Sequence, residues 1–283
     1  MLAGPTIRRR RLGTDLRRLR EARSLKLEDV AAHLGVAQST LSRIETGKAP
    51  TRTSYLAIML DLYGVTDQVQ RRQLADLARE GQRKGWWTEC DEPLPAGLDT
   101  YLGLEAEARS LLAFEADVVH DLLQTRQYAG AVLAAERPGL SPAQVGQLVA
   151  VRLRRQEVLT GAEPIRLHLI LDESALLRSM GPRPLMRAQL DRVAEAASRP
   201  MVTVQVLRLS AEHRVLAGSF GILGFADQQD ADVVCSDGLR GQILFEERGA
   251  EVRAMRQVFE GLSRSALPAA ESATAIRELA HLL

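Results

Sequence analysis

The sequence predicts an α+β protein in which an all-α domain of five helices precedes a mixed α/β domain. In the first 84 residues, apolar residues recur every three or four positions, which is the period of an amphipathic helix. From about Ile165 onward, short segments rich in β-branched residues alternate with helical ones, which favours a βαβ crossover with flanking helices. The net charge also differs between the two parts of the chain, and it changes sign after residue 84. Residues 1–84 hold 17 Lys/Arg and 9 Asp/Glu, a balance of +8, whereas residues 85–283 hold 20 and 27, a balance of −7.

Residues 26–48 predict two short helices that cross at a tight turn. The first covers residues 28–34 and the second residues 38–45. Gly35 supplies the turn, because glycine adopts positive φ without a steric penalty. The residues expected to face inward are Val30, Ala31, Leu34, Leu41 and Ile44. This arrangement is typical of a helix-turn-helix.

The outward face of the second helix decides between a structural hairpin and a helix that binds DNA. Four polar side chains project from this face, namely Gln38, Ser39, Ser42 and Arg43. No carboxylate occurs on it before Glu45. Glutamine can bond to adenine, arginine to guanine, and serine to more than one base. We therefore predict that this helix reads bases in the major groove, with a hairpin that makes no DNA contact as the alternative.

The segment after this helix carries groups suited to the DNA backbone. A loop contains Pro50, and a fourth helix is predicted to begin at Thr53 or Ser54. We expect phosphate contacts from side chains here, together with the free N–H groups at the start of the helix. These side chains are Lys48, Thr51, Arg52 and Thr53.

The run LGVAQSTLSRIETGK resembles the core of lambda-repressor-like regulators of the xenobiotic-response-element (XRE) type. The resemblance implies that Gln38 and Ser39 are the principal base readers and that Arg43 reads a base or holds a phosphate. Ala37 stands where the family usually has a Ser or Thr cap, and the absence of such a cap costs about 1 kcal/mol. Lys26 stands where the family opens the preceding helix with Thr-Gln, whose glutamine binds a phosphate. We expect Lys26 to bind that phosphate here.

Around this motif the first half of the chain divides into a tail and a domain. Residues 1–11, which contain four consecutive arginines from Arg8, are predicted to be a basic flexible tail. Such a tail either contacts DNA or is only solvated, and both interpretations remain open. Residues 12–84 form the predicted helix-turn-helix domain, which a fifth helix closes.

Residues 85–99, which are rich in Gly and Pro, form the predicted linker. Its adjacent Trp86 and Trp87 are expected to pin the linker to a domain surface rather than to stack on bases. Residues 100–283 form the predicted α/β domain, which serves for effector binding, partner binding or dimerisation.

The second domain is predicted to begin with a helix over residues 101–119, followed by two more helices. Its period then changes. Residues 165–172 and 201–209 alternate like strands around a helix at 184–200, which predicts a parallel strand–helix–strand crossover. Later strands are expected at 219–227, 231–237 and 242–247.

Several motifs of this half resemble a C-terminal domain of actinobacterial helix-turn-helix regulators, whose function is largely uncharacterised. The matching segments are Glu105–Ala108, Leu122–Ala129, Arg152–Leu159, Asp172–Arg178 and Gly218–Leu223. Together with the first resemblance, this one covers nearly the whole chain. Two pairs depart from the pattern, since His120-Asp121 replaces the usual Pro-Gly and Cys235-Ser236 replaces an aromatic and an acidic residue.

Catalytic chemistry has one candidate location in the sequence. Asp172 and Glu173 follow a predicted strand, where carboxylates act in many α/β enzymes, but Asp172 also fits the N-cap of the next helix. The chain contains no GxGxxG, GxxxxGK[ST], GxSxG or HExxH motif. His168 is expected to pack within its strand. We therefore predict no catalytic residue, no metal ligand and no cofactor, and we expect Cys90 and Cys235 to remain thiols.

The leading hypothesis is a cytoplasmic, nucleoid-associated transcriptional regulator that binds double-stranded DNA as a homodimer. Its second domain would dimerise, sense a ligand or bind a partner. The alternative is an antitoxin-like protein that binds DNA and a small partner protein, and a third hypothesis is a DNA-tethered enzyme that uses Asp172 and Glu173. No run approaches the roughly 18 apolar residues of a membrane span, so no membrane partner is expected.

Overall fold

The computed structural model describes residues 7–82, 85–90, 92–212, 217–226, 230–238 and 242–283. The chain divides into two units. The first extends to Thr88 and also takes in Asp99–Glu107, whereas the second comprises Glu89–Leu98 and Ala108–Leu283. No helix within the described ranges is long and apolar enough to cross a membrane.

Helices build the first unit. In chain order they are α1 (Ile7–Ala22), α2 (Leu27–His33), α3 (Gln38–Glu45), α4 (Thr53–Leu62), α5 (Gln68–Gly81) and α6 (Leu98–Glu105). Apolar stripes of α1 to α5 form one core, which includes Leu12, Leu16, Leu41, Ile44, Met59 and Tyr63. Leu41 and Ile44 occupy the inward positions that the sequence predicts. Val69 on α5, in contrast, is 61% exposed.

The first helix begins earlier than the sequence predicts. Residues 1–6 of the expected tail lie outside the described residues, but Arg8–Arg11 belong to the first turns of α1. Arg9 is buried, and its Nε donates a hydrogen bond to the carbonyl of Gly81 at the end of α5. Arg8 Nε lies 2.7 Å from a carboxylate oxygen of Glu80. The prediction of a flexible tail was wrong for Arg8–Arg11, because all four belong to α1 and the side chains of Arg8 and Arg9 have partners at the end of α5.

The boundary between the units differs from the predicted linker at residues 85–99. Residues 86–89 form a 3-10 turn in which Trp87 is buried. The segment after this turn groups with the second unit, whereas α6 groups with the first. An electrostatic contact favours this grouping, since Arg8 Nη1 lies 3.8 Å from Glu107, which follows α6.

Within the described residues, six strands of the second unit form one mixed sheet. They are β1 (Ser110–Glu115), β2 (Arg166–Asp172), β3 (Val202–Leu207), β4 (Phe220–Gly224), β5 (Val233–Asp237) and β6 (Ile243–Glu246). Their order in the sheet is β3-β2-β1-β4-β5-β6. The pairs β1–β2 and β2–β3 are parallel, and the pairs from β1–β4 to β5–β6 are antiparallel.

The helices of this unit are α7 (Arg126–Glu136), α8 (Pro142–Arg155), α9 (Glu173–Leu177), α10 (Arg183–Ala196), α11 (Gly249–Ser265) and α12 (Ala269–His281). α11 packs on one face of the sheet, where its Phe259 and Leu262 share a cluster with Phe114 and Ile170. α12 packs against both α10 and β3. The order β2, α10, β3 is the strand–helix–strand order that the sequence predicts, and the two strands pair in parallel.

β1 is the largest departure from the predicted elements. The sequence predicts a single helix over residues 101–119, whereas α6 ends at Glu105 and β1 begins at Ser110. The run SLLAFE is apolar enough for either structure, and its choice depends on partners that are distant in the sequence. β1 pairs with β2 on one side and with β4 on the other, so it lies in the middle of the sheet.

Candidate nucleic-acid interface

The turn between α2 and α3 has the geometry that the sequence predicts. Gly35 adopts a φ of +65°, in the left-handed region that favours glycine. Ala31 is buried on α2, and its carbonyl accepts a hydrogen bond of 3.0 Å from the N–H of Val36. Leu41 and Ile44 are buried on the inner side of α3. The opposite side of α3 is therefore directed away from the core.

A buried ion pair fixes α3 against α1. Arg20 donates from Nε and Nη2 to the two carboxylate oxygens of Glu45, at 2.7 and 2.9 Å. Its Nη1 donates to the carbonyl of Leu25 at 2.8 Å. The side chains of Arg20 and Glu45 are only 10% and 4% exposed. The hydrogen bonds to Glu45 raise the pKa of Arg20, so its guanidinium remains charged.

The two helices also approach closely at Gly13 on α1. A Cβ at this position would lie 2.5 Å from the carbonyl oxygen of Glu45. Residue 13 must therefore be glycine for α1 to contact the end of α3. Sequence reasoning missed both Gly13 and Arg20, because their partner lies 25 or more residues away and no local spacing links them.

The structure brings the predicted base readers together on one exposed side of α3. Gln38, Ser39 and Arg43 are exposed, and Ser42 is half-buried. Ala37 occupies the N-cap with extended backbone (φ −65°, ψ 145°), and its methyl group accepts no hydrogen bond. The first N–H groups of α3 therefore lie next to Gln38 and Ser39 without a side-chain cap.

The predicted phosphate-contacting residues separate into two groups. Lys26, Lys48, Arg52 and Thr53 are exposed. Lys26 Nζ lies 3.6 Å from Glu28, and the guanidinium of Arg52 lies 5.5 Å from the ring centre of Tyr55. Thr51, in contrast, is 4% exposed, and its carbonyl accepts a hydrogen bond of 2.8 Å from Gln82. The prediction of a phosphate contact by Thr51 does not fit its position, because the residue is packed inside the first unit.

A second polar constellation lies in the other unit, around Asp121. One carboxylate oxygen of Asp121 lies 2.7 Å from Arg155 Nη1 and the other 3.2 Å from Arg152 Nη1. Burial alone would raise the pKa of Asp121, but the charges of Arg152 and Arg155 lower it. Burial raises the pKa of Glu115 at the end of β1 well above its usual value, and the charges of Asp237 and Asp121 act in the same direction.

His120 lies beside this constellation and is almost fully buried. Its Nδ1 accepts a hydrogen bond of 3.2 Å from the N–H of Leu122, and its Nε2 lies 3.8 Å from Glu115. Burial lowers the pKa of His120 to about 4, and the charges of Arg155 and Arg152 add to this effect. The imidazole is therefore neutral at neutral pH, with Nδ1 as the acceptor.

The motifs of residues 122–129 and 152–159 converge on the same loop. Gln124 Nε2 donates to the carbonyl of Val119 at 2.6 Å, and its Oε1 accepts from Arg152 at 2.9 Å. The N–H of Val119 donates to the hydroxyl of Tyr128 at 3.2 Å. Gln156 Nε2 donates to the carbonyls of Asp121 and Gln124. These motif residues hold the connection between β1 and α7 in one conformation.

Comparison with known families covers both units. A family model described as a helix-turn-helix domain matches residues 11–74. A second model, described as a domain of unknown function (DUF5753), matches residues 98–278, which is more than half of the chain. The chain belongs to the DUF5753 family. No curated protein and no solved structure matches it. The helix-turn-helix match supports a DNA-binding regulator.

The strand-end carboxylates of the DUF5753 domain have structural partners. Asp172 is the N-cap of α9 and accepts a hydrogen bond of 2.9 Å from the N–H of Ser174. Glu173 accepts from Arg208 Nη1 at 2.6 Å and from the N–H of Leu209 at 3.0 Å. These contacts match the N-cap interpretation of Asp172.

The remaining candidates for metal or nucleophilic chemistry in the DUF5753 domain are packed or dispersed. His168 Nε2 lies 2.7 Å from Gln205 Oε1, and its ring meets Phe259 edge-on at 5.0 Å. Across the ranges that the structure describes, no group of three or more His, Cys, Asp or Glu side chains could hold a metal ion. In the described residues, neither Cys90 nor Cys235 forms a disulfide.

Proposed function

We propose that this DUF5753 protein is a sequence-specific, XRE-type transcriptional regulator that reads DNA with α3. The observation that carries the proposal is the exposed side of α3, where Gln38, Ser39 and Arg43 project from a helix fixed by the Arg20–Glu45 pair. A rigid helix loses little conformational freedom on binding, so its side chains can discriminate between bases at low entropic cost.

The DNA backbone would be held by Lys26, Lys48, Arg52 and Thr53. All four are exposed, and they lie at the starts of α2 and α4 and in the loop after α3. Phosphate contacts from such positions orient a helix-turn-helix without reading sequence. The positive balance of residues 1–84 supports the same surface. Thr51 is left out of this interface because it is buried.

The DUF5753 domain would act through association rather than catalysis, with the protein working as a cytoplasmic, nucleoid-associated homodimer. One recognition helix reads only a few base pairs, and two-fold pairing over a pseudo-palindromic site is the usual remedy. The partners of Asp172 and Glu173 support this assignment, because both carboxylates are engaged in capping and ion pairing.

Selection of bound sequences from a random double-stranded DNA pool tests the proposal. The full chain should enrich one pseudo-palindromic site at a fixed salt concentration. A variant that combines Gln38→Ala, Ser39→Ala and Arg43→Ala should bind the pool without enriching that site. If the unmodified chain enriches no sequence, the proposed function is overturned.

A further inference from the structure

The mixed sheet has an uncovered point at Gly221, in the middle of β4. Gly221 is partly exposed, although its neighbours across the sheet, Ala113 on β1 and Cys235 on β5, are only 1% and 4% exposed. Among the described residues, a Cβ on Gly221 would meet only Leu111 Cδ1 at 3.1 Å and the carbonyl oxygen of Leu112 at 3.9 Å within 4 Å. Both belong to β1, so no described helix covers this point. We call this space the β4 crevice.

Two carboxylates flank the β4 crevice. Glu115 stands two residues after Ala113 on β1, and Asp237 stands two residues after Cys235 on β5, so both project from the same face of the sheet as Gly221. Because β4 separates the two strands, the backbones at Glu115 and Asp237 lie about 10 Å apart, which is two strand spacings. Both residues end their strands, and ligands of open sheets commonly bind at the carboxyl ends of strands.

The cationic side chains near these carboxylates are engaged with other groups. Arg152 and Arg155 both contact Asp121, and Arg152 Nη2 lies 3.6 Å from Glu136. In the described part of the chain, no arginine or lysine forms an ion pair with the two carboxylates that flank the crevice. The charge of Asp237 helps to raise the pKa of Glu115, as expected for two carboxylates that face a common space.

His120 lies beside the β4 crevice with an unused hydrogen-bond donor. Its Nδ1 accepts from Leu122, so the neutral ring carries its proton on Nε2. The side chain is only 8% exposed, and Nε2 lies 3.8 Å from Glu115, which is beyond hydrogen-bond distance. An ionised Glu115 would be a strong acceptor for this donor. A ligand that ionises Glu115 therefore also supplies the missing partner of His120.

We propose that the β4 crevice binds a linear organic diamine, with one ammonium group on Glu115 and the other on Asp237. The separation of the two carboxylates suits a ligand with two charges rather than one metal ion, and no group of described side chains could hold a metal. The small residues Ala113, Gly221 and Cys235 leave space for a methylene chain between the charges. The inference goes beyond DNA binding by α3, because it gives the DUF5753 domain a ligand to sense.

Isothermal titration calorimetry of the full chain, without DNA, tests the proposal with 1,4-diaminobutane. The dissociation constant should be below about 1 mM at neutral pH. 1-Aminobutane is the matched control ligand, because it has the same chain and only one ammonium group. It should bind at least about tenfold more weakly, since it lacks one charge-assisted pair. Mg²⁺ carries the same charge as the diamine in compact form and should produce no binding heat.

Three variants test the residues of the site. Glu115→Gln and Asp237→Asn should each weaken diamine binding at least about tenfold, because each removes one carboxylate. Gly221→Val fills the crevice without a change of charge and should weaken binding as strongly. Glu163→Gln is the matched control, since it removes an exposed carboxylate at the opposite end of the strands, where Glu163 pairs with Arg109. It should leave the affinity unchanged. Circular dichroism should show that every variant remains folded.

Absence of binding heat with 1,4-diaminobutane at concentrations of about 10 mM overturns the proposal. Equal affinity for 1-aminobutane or Mg²⁺ overturns it too, because either result means that the two carboxylates do not bind the ligand together. Unchanged affinity in folded Glu115→Gln or Asp237→Asn has the same consequence. These results are separable from the proposed function, since the titrations contain no DNA. A chain that binds the diamine but enriches no DNA site contradicts only the regulator.

Discussion

The amide of Gln38 and the guanidinium of Arg43 are the groups on which sequence discrimination is expected to depend. Both are exposed on α3, at its first residue and in its last turn. Gln38→Ala and Arg43→Ala should each weaken binding to the selected site by about 1–3 kcal/mol, because each would remove the two hydrogen bonds to one base that the proposed function assigns to it. Binding to scrambled DNA should change much less. Ser39→Ala should have a smaller effect, since a hydroxyl accepts more than one base.

Fluorescence anisotropy with selected and scrambled duplexes at one salt concentration measures these changes. Arg72→Ala and Gln73→Ala provide matched controls, because they remove the same functional groups from exposed positions on α5. The controls should leave the ratio of the two affinities unchanged. Equal weakening on both duplexes by Gln38→Ala would show that this residue does not read a base.

Lys48 and Arg52 should act on affinity without acting on specificity. Each neutralises a phosphate in the proposed interface, so Lys48→Ala and Arg52→Ala should each reduce the slope of log K against log salt by about 1. Titrations of one duplex at several salt concentrations give this slope. Thr51→Val is the control that leaves the slope unchanged, because Thr51 is buried. A weakening confined to the selected duplex would contradict the phosphate assignment.

Periodicity explains which of these residues the sequence could locate. Leu41 and Ile44 define the buried side of α3, so the exposure of Gln38 and Arg43 follows from helical geometry. Thr51 lies in a loop, where no period relates one residue to the next. Its burial depends on interactions within the folded unit, such as the hydrogen bond that its carbonyl accepts from Gln82. The sequence around Thr51 contains no sign of that hydrogen bond.

At the scale of whole elements, the Arg20–Glu45 pair should determine whether α3 stays in place. Glu45→Gln removes the buried carboxylate that pairs with Arg20 and leaves only the half-exposed Glu21, at 3.6 Å, as a counter-charge. It should lower the free energy of unfolding by about 3 kcal/mol. Urea unfolding monitored by tryptophan fluorescence measures this decrease, since Trp86 and Trp87 both belong to the first unit.

A double variant separates the cost of an unpaired buried charge from the contribution of the ion pair itself. Replacing both charges by apolar residues, as in Arg20→Met/Glu45→Leu, removes the charge and its need for a partner together. This variant should recover much of the stability that Glu45→Gln loses, because apolar side chains of similar size pack well in place of a buried ion pair. An unfolding midpoint for Glu45→Gln equal to that of the unmodified chain would contradict the prediction.

Elements were predictable where local pattern and tertiary packing agree. The bounds of α3 match the predicted residues 38–45, because a glycine turn, an apolar stripe and a polar face all occur within one short segment. β1 was not predictable in this way. Its run SLLAFE follows α6 after only residues 106–109, and it is a strand because it pairs with β2 and β4, which both lie more than 50 residues away. The prediction of a flexible tail at Arg8 was wrong for the same reason, since the partners of Arg8 are Glu80 on α5 and Glu107 beyond α6.

For the molecule as a whole, pH should act on stability through the buried groups around Asp121. Asp121 has a lowered pKa, so its contribution is present at neutral pH and is lost as the pH falls below the usual pKa of an aspartate. Glu115 has a raised pKa, so the folded state loses stability as the pH rises toward that value. The lowered pKa of His120 has the opposite effect to the raised pKa of Glu115, because it makes the stability of the folded state increase as the pH rises. A variant of His120 is therefore needed to separate its contribution from those of the neighbouring carboxylates.

Replacement of His120 by asparagine should remove one pH-dependent decrease in stability. The pKa of His120 is about 4 in the folded state and 6.5 in the absence of the fold. As the pH falls from about 6.5 to about 4, the unfolded chain binds a proton that the folded chain does not, so the unmodified protein loses stability, by roughly 3 kcal/mol at most. Asparagine still accepts the N–H of Leu122 but does not titrate. The melting temperature of His120→Asn, followed by far-ultraviolet circular dichroism, should therefore rise relative to that of the unmodified chain as the pH is lowered through this range.

His281→Asn, which removes an exposed histidine from the same unit, should show no such trend. A constant difference between His120→Asn and the unmodified chain from pH 7 to pH 4 would mean that the imidazole takes up its proton equally in both states.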